Sequence, residues 1–84
     1  MDNAKIIKKA NKQLIQIGLN VRTYRVMDSL TQAELAERAG LSVSAISKLE
    51  NANVYTNSEL VTILKIAMAL NVHPSKLFEF RDKN

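Results

Sequence analysis

The feature that most restricts the fold of this 84-residue chain is the spacing of apolar side chains near its amino terminus. From Ile7 to Tyr24 these residues recur at intervals of three and four, which places them on one side of a helix. Gly18 interrupts the stripe and costs up to about 1 kcal/mol relative to alanine. One long helix and two shorter pieces are therefore both consistent with the pattern. Because no segment alternates apolar and polar residues over a strand's length, the chain is predicted to be all-α.

Capping residues predict two further short helices in the middle of the chain. Thr31 and Glu34 form a capping box, in which each side chain satisfies the other residue's backbone N–H. The helix that they open is expected to end at Gly40, since glycine adopts a left-handed conformation without a Cβ penalty. Ser42 can then cap a third helix that runs to about Asn51.

The last third of the chain is predicted to be a loop followed by two helices. Residues 56–59 repeat the capping box and are expected to open the fourth helix. Its inner side is predicted to carry Leu60, Ile63, Leu64, Ala67 and Leu70. His73 is expected to cap a fifth helix that starts at Pro74, with Leu77 and Phe78 facing inwards. Five short helices with brief connections predict a compact bundle.

The composition argues against several classes of function. The chain has no cysteine and a single histidine, which argues against disulfides, thiolate metal sites and a histidine metal cluster. It shows no glycine-rich phosphate loop and no plausible acid–base pair, so we expect neither an enzyme nor a bound cofactor. No run of 18 apolar residues and no secretory signal is present, so a cytoplasmic protein is expected.

The positive charge is concentrated at the amino terminus. The formal net charge is +4, and residues 1–25 carry +5 while the rest of the chain carries −1. A basic end on a near-neutral body is typical of proteins that bind a polyanion. A solvated lysine face that keeps the protein soluble would give the same pattern, and charge alone does not separate the two.

The segment from Gln32 to Asn51 combines several requirements of a helix-turn-helix. Two short helices joined by about three residues cross steeply, which requires a small residue at the contact, and Ala36 stands midway along the first helix. Gly40 supplies the turn. The apolar residues available for the inner side are Leu35, Ala39, Leu41, Ile46 and Leu49. Their joint occurrence within twenty residues predicts this motif.

Two stretches, LTQAELAERAGLS at residues 30–42 and ISKLEN at residues 46–51, closely resemble the lambda-repressor-like Cro/C1 (XRE) family of DNA-binding proteins. Residues 64–72, together with Leu77 and Phe78, look like the fourth and fifth helices of that family. The match covers about residues 17–78. The resemblance implies a five-helix transcriptional regulator, expected to be a repressor, that binds a two-fold operator in double-stranded DNA as a homodimer.

The resemblance also suggests how the chain is divided. Residues 17–80 are predicted to form the helix-turn-helix domain, and residues 81–84 a carboxy-terminal tail. Residues 1–16 lie outside the match and are predicted to be a basic, helical extension of the first helix. This extension can serve as an arm that reaches DNA, as a longer helix, or as a dimerisation element.

One side of the third helix is predicted to contact bases in the major groove. A helical projection places its core residues, Ala45, Ile46 and Leu49, on one side. The outward side carries Val43, Ser44, Ser47 and Lys48. Lysine donates to guanine or phosphate, serine tolerates several bases, and valine can meet a thymine methyl. An ordinary amphipathic helix has the same division, and Val43 can instead pack against the next helix. These positions lack the glutamine and arginine side chains that recognise bases through bidentate hydrogen bonds, so the operator sequence is not predicted.

Five polar residues are predicted to contact DNA phosphates. Gln32 lies in the first turn of the second helix, where free N–H groups and the helix dipole favour an anion. Asn51, Asn53, Tyr55 and Thr56 follow the third helix and can hydrogen-bond phosphates. In the alternative interpretation the asparagines stabilise the turn, Thr56 caps a helix and Tyr55 packs.

The resemblance further implies a partly buried ion pair between Arg25 and Glu50. This pair would tie the first helix to the end of the recognition helix. Neutralisation by Arg25 would also keep Glu50 from repelling nearby phosphates.

A protein-interaction module, such as an antitoxin that binds a toxin, is the second functional hypothesis. The apolar stripe from Ile7 to Tyr24 and the aromatic residue Phe80 would favour it if they remained uncovered, with the extension as the contact surface. Both can instead complete the core. Membrane binding by the lysine-rich terminus is a weaker hypothesis, because the apolar side lacks Trp and Phe.

Overall fold

The computed structural model describes residues 2–53 and 55–80, which form four α-helices and a short 3-10 helix. Helix α1 spans Asn3–Met27, α2 spans Gln32–Ala39, α3 spans Val43–Leu49 and α4 spans Leu60–Leu70. The 3-10 helix spans Pro74–Phe78. The all-α prediction is confirmed, but the count of five α-helices is wrong. The last segment has only five residues and closes a tighter turn, in which Lys76 N–H donates to the His73 carbonyl at 2.9 Å.

Helix α1 continues through Gly18 without a break. Gly18 is buried where α1 crosses the end of α3, and a β-carbon at this position would overlap the carbonyl group of Leu49. Glycine is therefore required at this position despite its unfavourable helix propensity, because the crossing leaves no room for a side chain.

The core lies where the four α-helices and the 3-10 helix meet. Its buried apolar residues are Ile17, Val21, Leu30, Leu35, Ala36, Ala39, Ile46, Leu49, Ile63, Ile66, Ala67, Leu70 and Leu77. The predicted inner side of the helix-turn-helix is thus buried, with Leu41 partly buried against it. Ala36 is 2% exposed and permits the close crossing of α2 and α3.

Two predictions of inward-facing side chains are wrong. Leu60 is 64% exposed, whereas Ile66, which was not predicted on the inner side of α4, is fully buried. Phe78 is 39% exposed, while its neighbour Leu77 is fully buried. In the 3-10 helix a one-residue step rotates the side chain by about 120°, so Leu77 faces the core while Phe78 turns away from it.

The predicted caps of α2, α3 and the 3-10 helix are confirmed. Thr31 Oγ1 accepts from Glu34 N–H at 3.0 Å, and Glu34 Oε1 accepts from Thr31 N–H at 2.9 Å. Gly40 ends α2 in the left-handed conformation, with φ of 68°. Ser42 Oγ accepts from Ala45 N–H at 3.1 Å, and His73 Nδ1 accepts from Ser75 N–H at 3.1 Å.

The second predicted capping box, at residues 56–59, does not form. Helix α4 begins at Leu60, and its N-cap residue Glu59 makes no side-chain capping hydrogen bond. Thr56 Oγ1 instead donates to the carbonyl of Lys48 at 3.1 Å. The hydroxyl thus satisfies a carbonyl at the end of α3, and this tertiary hydrogen bond replaces the local cap.

The first two turns of α1 project from the bundle. Residues 2–10 are all exposed, and the molecule measures 40 Å along its long axis but only 22 and 21 Å across. The predicted tail at residues 81–84 lies outside the described residues. Within residues 2–53 and 55–80, every helix is too short or too polar to cross a lipid bilayer.

Candidate nucleic-acid interface

Helix α3 presents one polar side to solvent and one apolar side to the core. Its buried residues Ile46 and Leu49 fix the rotation of the helix. The remaining side chains point outwards, and the exposed ones are Val43, Ser44, Ser47 and Lys48. Val43 is 47% exposed, so it does not pack into the bundle. The four residues predicted for base contact therefore form one continuous accessible surface.

A hydrogen-bonded clamp holds the end of α3 against α1. Arg25 Nε lies 2.7 Å from Glu50 Oε2, and a second guanidinium nitrogen lies 2.8 Å from Glu50 Oε1. A third nitrogen of Arg25 donates to the carbonyl of Leu30 at 2.7 Å. The side chains of Arg25 and Glu50 are only 12% and 3% exposed. Hydrogen bonding to the carboxylate raises the pKa of Arg25, so the pair stays charged.

The side chain of Gln32 belongs to this clamp. Its Nε2 donates to Glu50 Oε1 at 3.1 Å, which links the start of α2 to the end of α3. The first hydrogen bond within α2 is donated by Leu35 to the carbonyl of Thr31 at 3.0 Å. The N–H groups of Gln32 and Ala33 precede that bond and lie at the positive end of the helix dipole. If Gln32 contacts a phosphate, its backbone is the better-placed donor.

The loop after α3 uses its polar side chains partly for its own structure. Asn51 Oδ1 accepts from Asn53 N–H at 2.9 Å, the geometry of an Asx turn. Thr56 bonds the end of α3, as described above. Tyr55 is 53% exposed, so the alternative in which it packs does not describe this side chain. Asn53 and Tyr55 are both exposed in this loop.

Arg22 joins this surface and was not predicted as a site residue. It is exposed on α1 and lines one shallow polar depression together with Ser47 of α3 and Asn51. Glu50 also lines it, but its charge is already paired with Arg25. Arg22 is therefore a cation beside the exposed side of α3. The sequence held one signal for this role, since Arg22 lies one helical turn before Arg25 on α1.

The depression on the other side of α3 has a mixed lining, with apolar residues such as Leu41 beside polar ones. Ser44, Lys48 and Thr56 contribute to its lining. Among the described residues no cluster of three His, Asp or Glu side chains is positioned to hold a metal ion. The exposed groups of this face include hydroxyls, amides, the side chain of Val43 and the two cations Arg22 and Lys48, with the carboxylate of Glu59 at the edge of the second depression.

Comparison with known proteins assigns a family to this architecture. Residues 21–77 match the helix-turn-helix family HTH_3. The chain belongs to this family of Cro/C1-type helix-turn-helix DNA-binding transcriptional regulators.

Individual relatives agree with that assignment. The chain is 31% identical over 67 residues to the HTH-type transcriptional regulator SinR of Bacillus licheniformis, and the match covers 80% of this chain. It spans only 60% of that relative's length.

Two solved structures share the fold. The restriction-modification controller protein C.AhdI from Aeromonas hydrophila superposes with a TM-score of 0.71 and 37% identity, covering 77% of this chain and 96% of that one. The N-terminal DNA-binding domain of SinR from Bacillus subtilis gives a TM-score of 0.69 and 30% identity, covering 80% and 96% of the two chains.

Proposed function

We propose that this chain is a small cytoplasmic transcriptional regulator, acting as a repressor, that recognises a specific double-stranded DNA sequence. Residues 17–80 form the DNA-binding unit, and α3 enters the major groove. Val43, Ser44, Ser47 and Lys48 meet base edges. Two copies bind the two halves of a two-fold operator, with centres about one helical turn (roughly 34 Å) apart.

The observation that carries this proposal is the division of α3 into a buried and an accessible side. Ile46 and Leu49 anchor the helix in the core, while all four proposed base-contact side chains remain in solvent. A major groove about 12 Å wide admits a single helix, and α3 stands at the surface of the bundle. The clamp formed by Arg25, Glu50 and Gln32 fixes the angle at which α3 would enter the groove.

Phosphate contacts flank α3 on both sides in this arrangement. The backbone amides at the start of α2 and the guanidinium of Arg22 lie on one side. Asn51 lines the same depression as Arg22, whereas Thr56 lies on the other side of α3 with Lys48, and Asn53 and Tyr55 lie between these two in the loop sequence. Because Glu50 is neutralised by Arg25, it does not repel the DNA backbone from this surface. These contacts would set the register of α3 without reading the sequence.

A selection experiment tests the proposal. Duplexes retained by the protein from a random pool should converge on one motif, and binding of that motif should be measured by fluorescence anisotropy across a salt series. The affinity is expected to fall steeply with salt, because each phosphate contact releases about 0.9 counterion. A pool that never converges would contradict sequence-specific binding.

Replacing Lys48 with alanine separates base from phosphate contact. If Lys48 donates to a base, Lys48→Ala should cost about 1 to 3 kcal/mol on the selected site and much less on unrelated duplexes. Lys65→Ala is the matched control, since Lys65 is an exposed lysine on α4. An equal loss on all sequences would make Lys48 a phosphate contact.

Arg22→Ala provides the complementary measurement. Loss of one phosphate contact should weaken binding to every duplex alike and reduce the slope of log K against log salt by about 1. An unchanged slope would remove Arg22 from the interface.

A further inference from the structure

The end of α3 is held by a hydrogen bond from the loop that follows it. Thr56 Oγ1 donates to the carbonyl oxygen of Lys48 at 3.1 Å, although the two residues are eight positions apart. The same carbonyl accepts the N–H of Asn51 at 3.3 Å. Thr56 is partly buried, whereas Asn51, Asn53 and Tyr55 are exposed. The loop that carries these exposed residues therefore starts and finishes on a single carbonyl of α3.

The last turn of α3 needs such a restraint. The helix has only seven residues, and the carbonyls of a helix's last turn have no partner within the helix. Ser47 and Lys48, two of the four proposed base-contact residues, lie in this turn. Glu50, clamped to α1, holds one side of the turn, and Thr56 holds the side that bears Lys48. The turn is thus restrained from both sides.

The hydroxyl of Thr56 has no proton left for a phosphate. A threonine hydroxyl carries one proton and otherwise only accepts hydrogen bonds. In Thr56 that proton is donated to the carbonyl of Lys48, and a phosphate oxygen is itself an acceptor. A phosphate contact at this residue would therefore be made by its backbone N–H, and the side chain has a different role.

We infer that Thr56 is a positioning residue for DNA recognition. Its hydroxyl keeps the last turn of α3 helical and so directs the side chain of Lys48 towards the base edges. The inference deepens the proposed function and rests on it, because positioning matters only if Lys48 reads DNA. It adds to the interface a side chain that touches no DNA and on which the discrimination between sequences depends.

Two substitutions at this position test the role of the hydroxyl. Thr56→Val keeps the branched shape and removes the donor, whereas Thr56→Ser keeps the donor. Thr56→Val should weaken binding to the selected duplex about fivefold, the effect of losing one hydrogen bond, and binding to unrelated duplexes less than about twofold. Thr56→Ser should recover most of that loss. Thr62→Val is the matched control, because it removes a hydroxyl from the α4 wall of the same depression and should leave both affinities unchanged.

A double-mutant cycle with Lys48→Ala separates positioning from a loss of folded protein. If Thr56 acts through Lys48, adding Thr56→Val to Lys48→Ala should weaken binding to the selected duplex by less than about twofold further. A change that only lowered the folded fraction would weaken binding equally in both backgrounds. Fluorescence anisotropy should be measured where circular dichroism shows every variant to be folded.

Three results would overturn the inference: parent-like binding by Thr56→Val, a loss that Thr56→Ser does not recover, or an equal loss with and without Lys48. Failure of the proposed function looks different, because the parent protein itself would then select no DNA motif. A parent protein that selects a motif which Thr56→Val binds equally well would overturn this inference alone.

Discussion

Replacing Gly18 with alanine should destabilise the protein, although the sequence alone predicts the opposite sign. In the middle of a solvent-exposed helix, this substitution stabilises by up to about 1 kcal/mol. Here the new β-carbon would lie 2.8 Å from the carbonyl carbon of Leu49 and would overlap its oxygen. Both are backbone atoms, so a side-chain rotation cannot relieve the contact.

The size of the effect follows from the movement that the contact requires. Ordinary contact begins at 3.4 Å, and the oxygen of Leu49 is closer than its carbonyl carbon, so α1 and the end of α3 would have to separate by more than an ångström. That shift loosens the packing of Val21 and Leu49 and strains the hydrogen bonds between Arg25 and Glu50. Overpacking of this kind costs about 1 to 3 kcal/mol and occasionally more, which exceeds the gain in helix propensity. We expect a net loss of about 2 kcal/mol, equivalent to a fall of about 10 °C in Tm for a domain of this size.

Urea and thermal unfolding followed by circular dichroism measure this loss. Thr23→Ala is the control, because Thr23 is exposed on the same helix and its hydroxyl bonds only the Leu19 carbonyl, at 3.0 Å, within that helix. Its unfolding free energy should stay within about 0.5 kcal/mol of the parent protein. A Gly18→Ala variant with a higher Tm than the parent would refute the steric argument and the close crossing of α1 and α3.

Two further substitutions test the clamp and the α2 cap. Arg25→Ala leaves the buried carboxylate of Glu50 without its cation and should lower the unfolding free energy by about 3 to 5 kcal/mol. Arg38→Ala is the control, because Arg38 forms an exposed ion pair with Asp28 at 3.7 Å, and it should cost less than about 1 kcal/mol. Equal losses would argue against a buried clamp. Hydrogen bonds from Thr31 lower the pKa of Glu34 below its ordinary value of 4.5. The stability that this carboxylate contributes should be present above about pH 4.5 and lost as the pH falls through the lowered pKa. Glu34→Gln keeps an acceptor but cannot titrate, so its stability should decline less in that range, and identical acid profiles would contradict this role.

The helix-turn-helix could be predicted because its determinants are local. The capping box at Thr31, the left-handed Gly40 and the cap at Ser42 each depend on residues within one turn. The periodicity of α3 then fixes which side chains face outwards once Ile46 and Leu49 face inwards. These short-range rules are sufficient to define the candidate recognition surface without any tertiary contact.

Predictions failed where a tertiary contact competed with a local preference. Thr56 bonds the end of α3 rather than capping α4, because the Lys48 carbonyl lies within reach only in the folded chain. The hydrogen bond from Gln32 to Glu50, 18 residues away, likewise has no local signal in the sequence. Arg22 was not predicted as a site residue because its position beside Ser47 depends on how α1 crosses α3.

The sequence by itself determined the all-α class, the boundaries of α2 and the outward residues of α3, because hydrophobic period and capping act within a few residues. Only the tertiary structure shows that α1 crosses α3 at Gly18 and that Arg25, Gln32 and Glu50 form one clamp. It also shows that the apolar stripe of α1 extends beyond the core at Ile6 and Ile7. Each of these depends on the distance between segments remote in sequence, which packing sets and local periodicity does not encode.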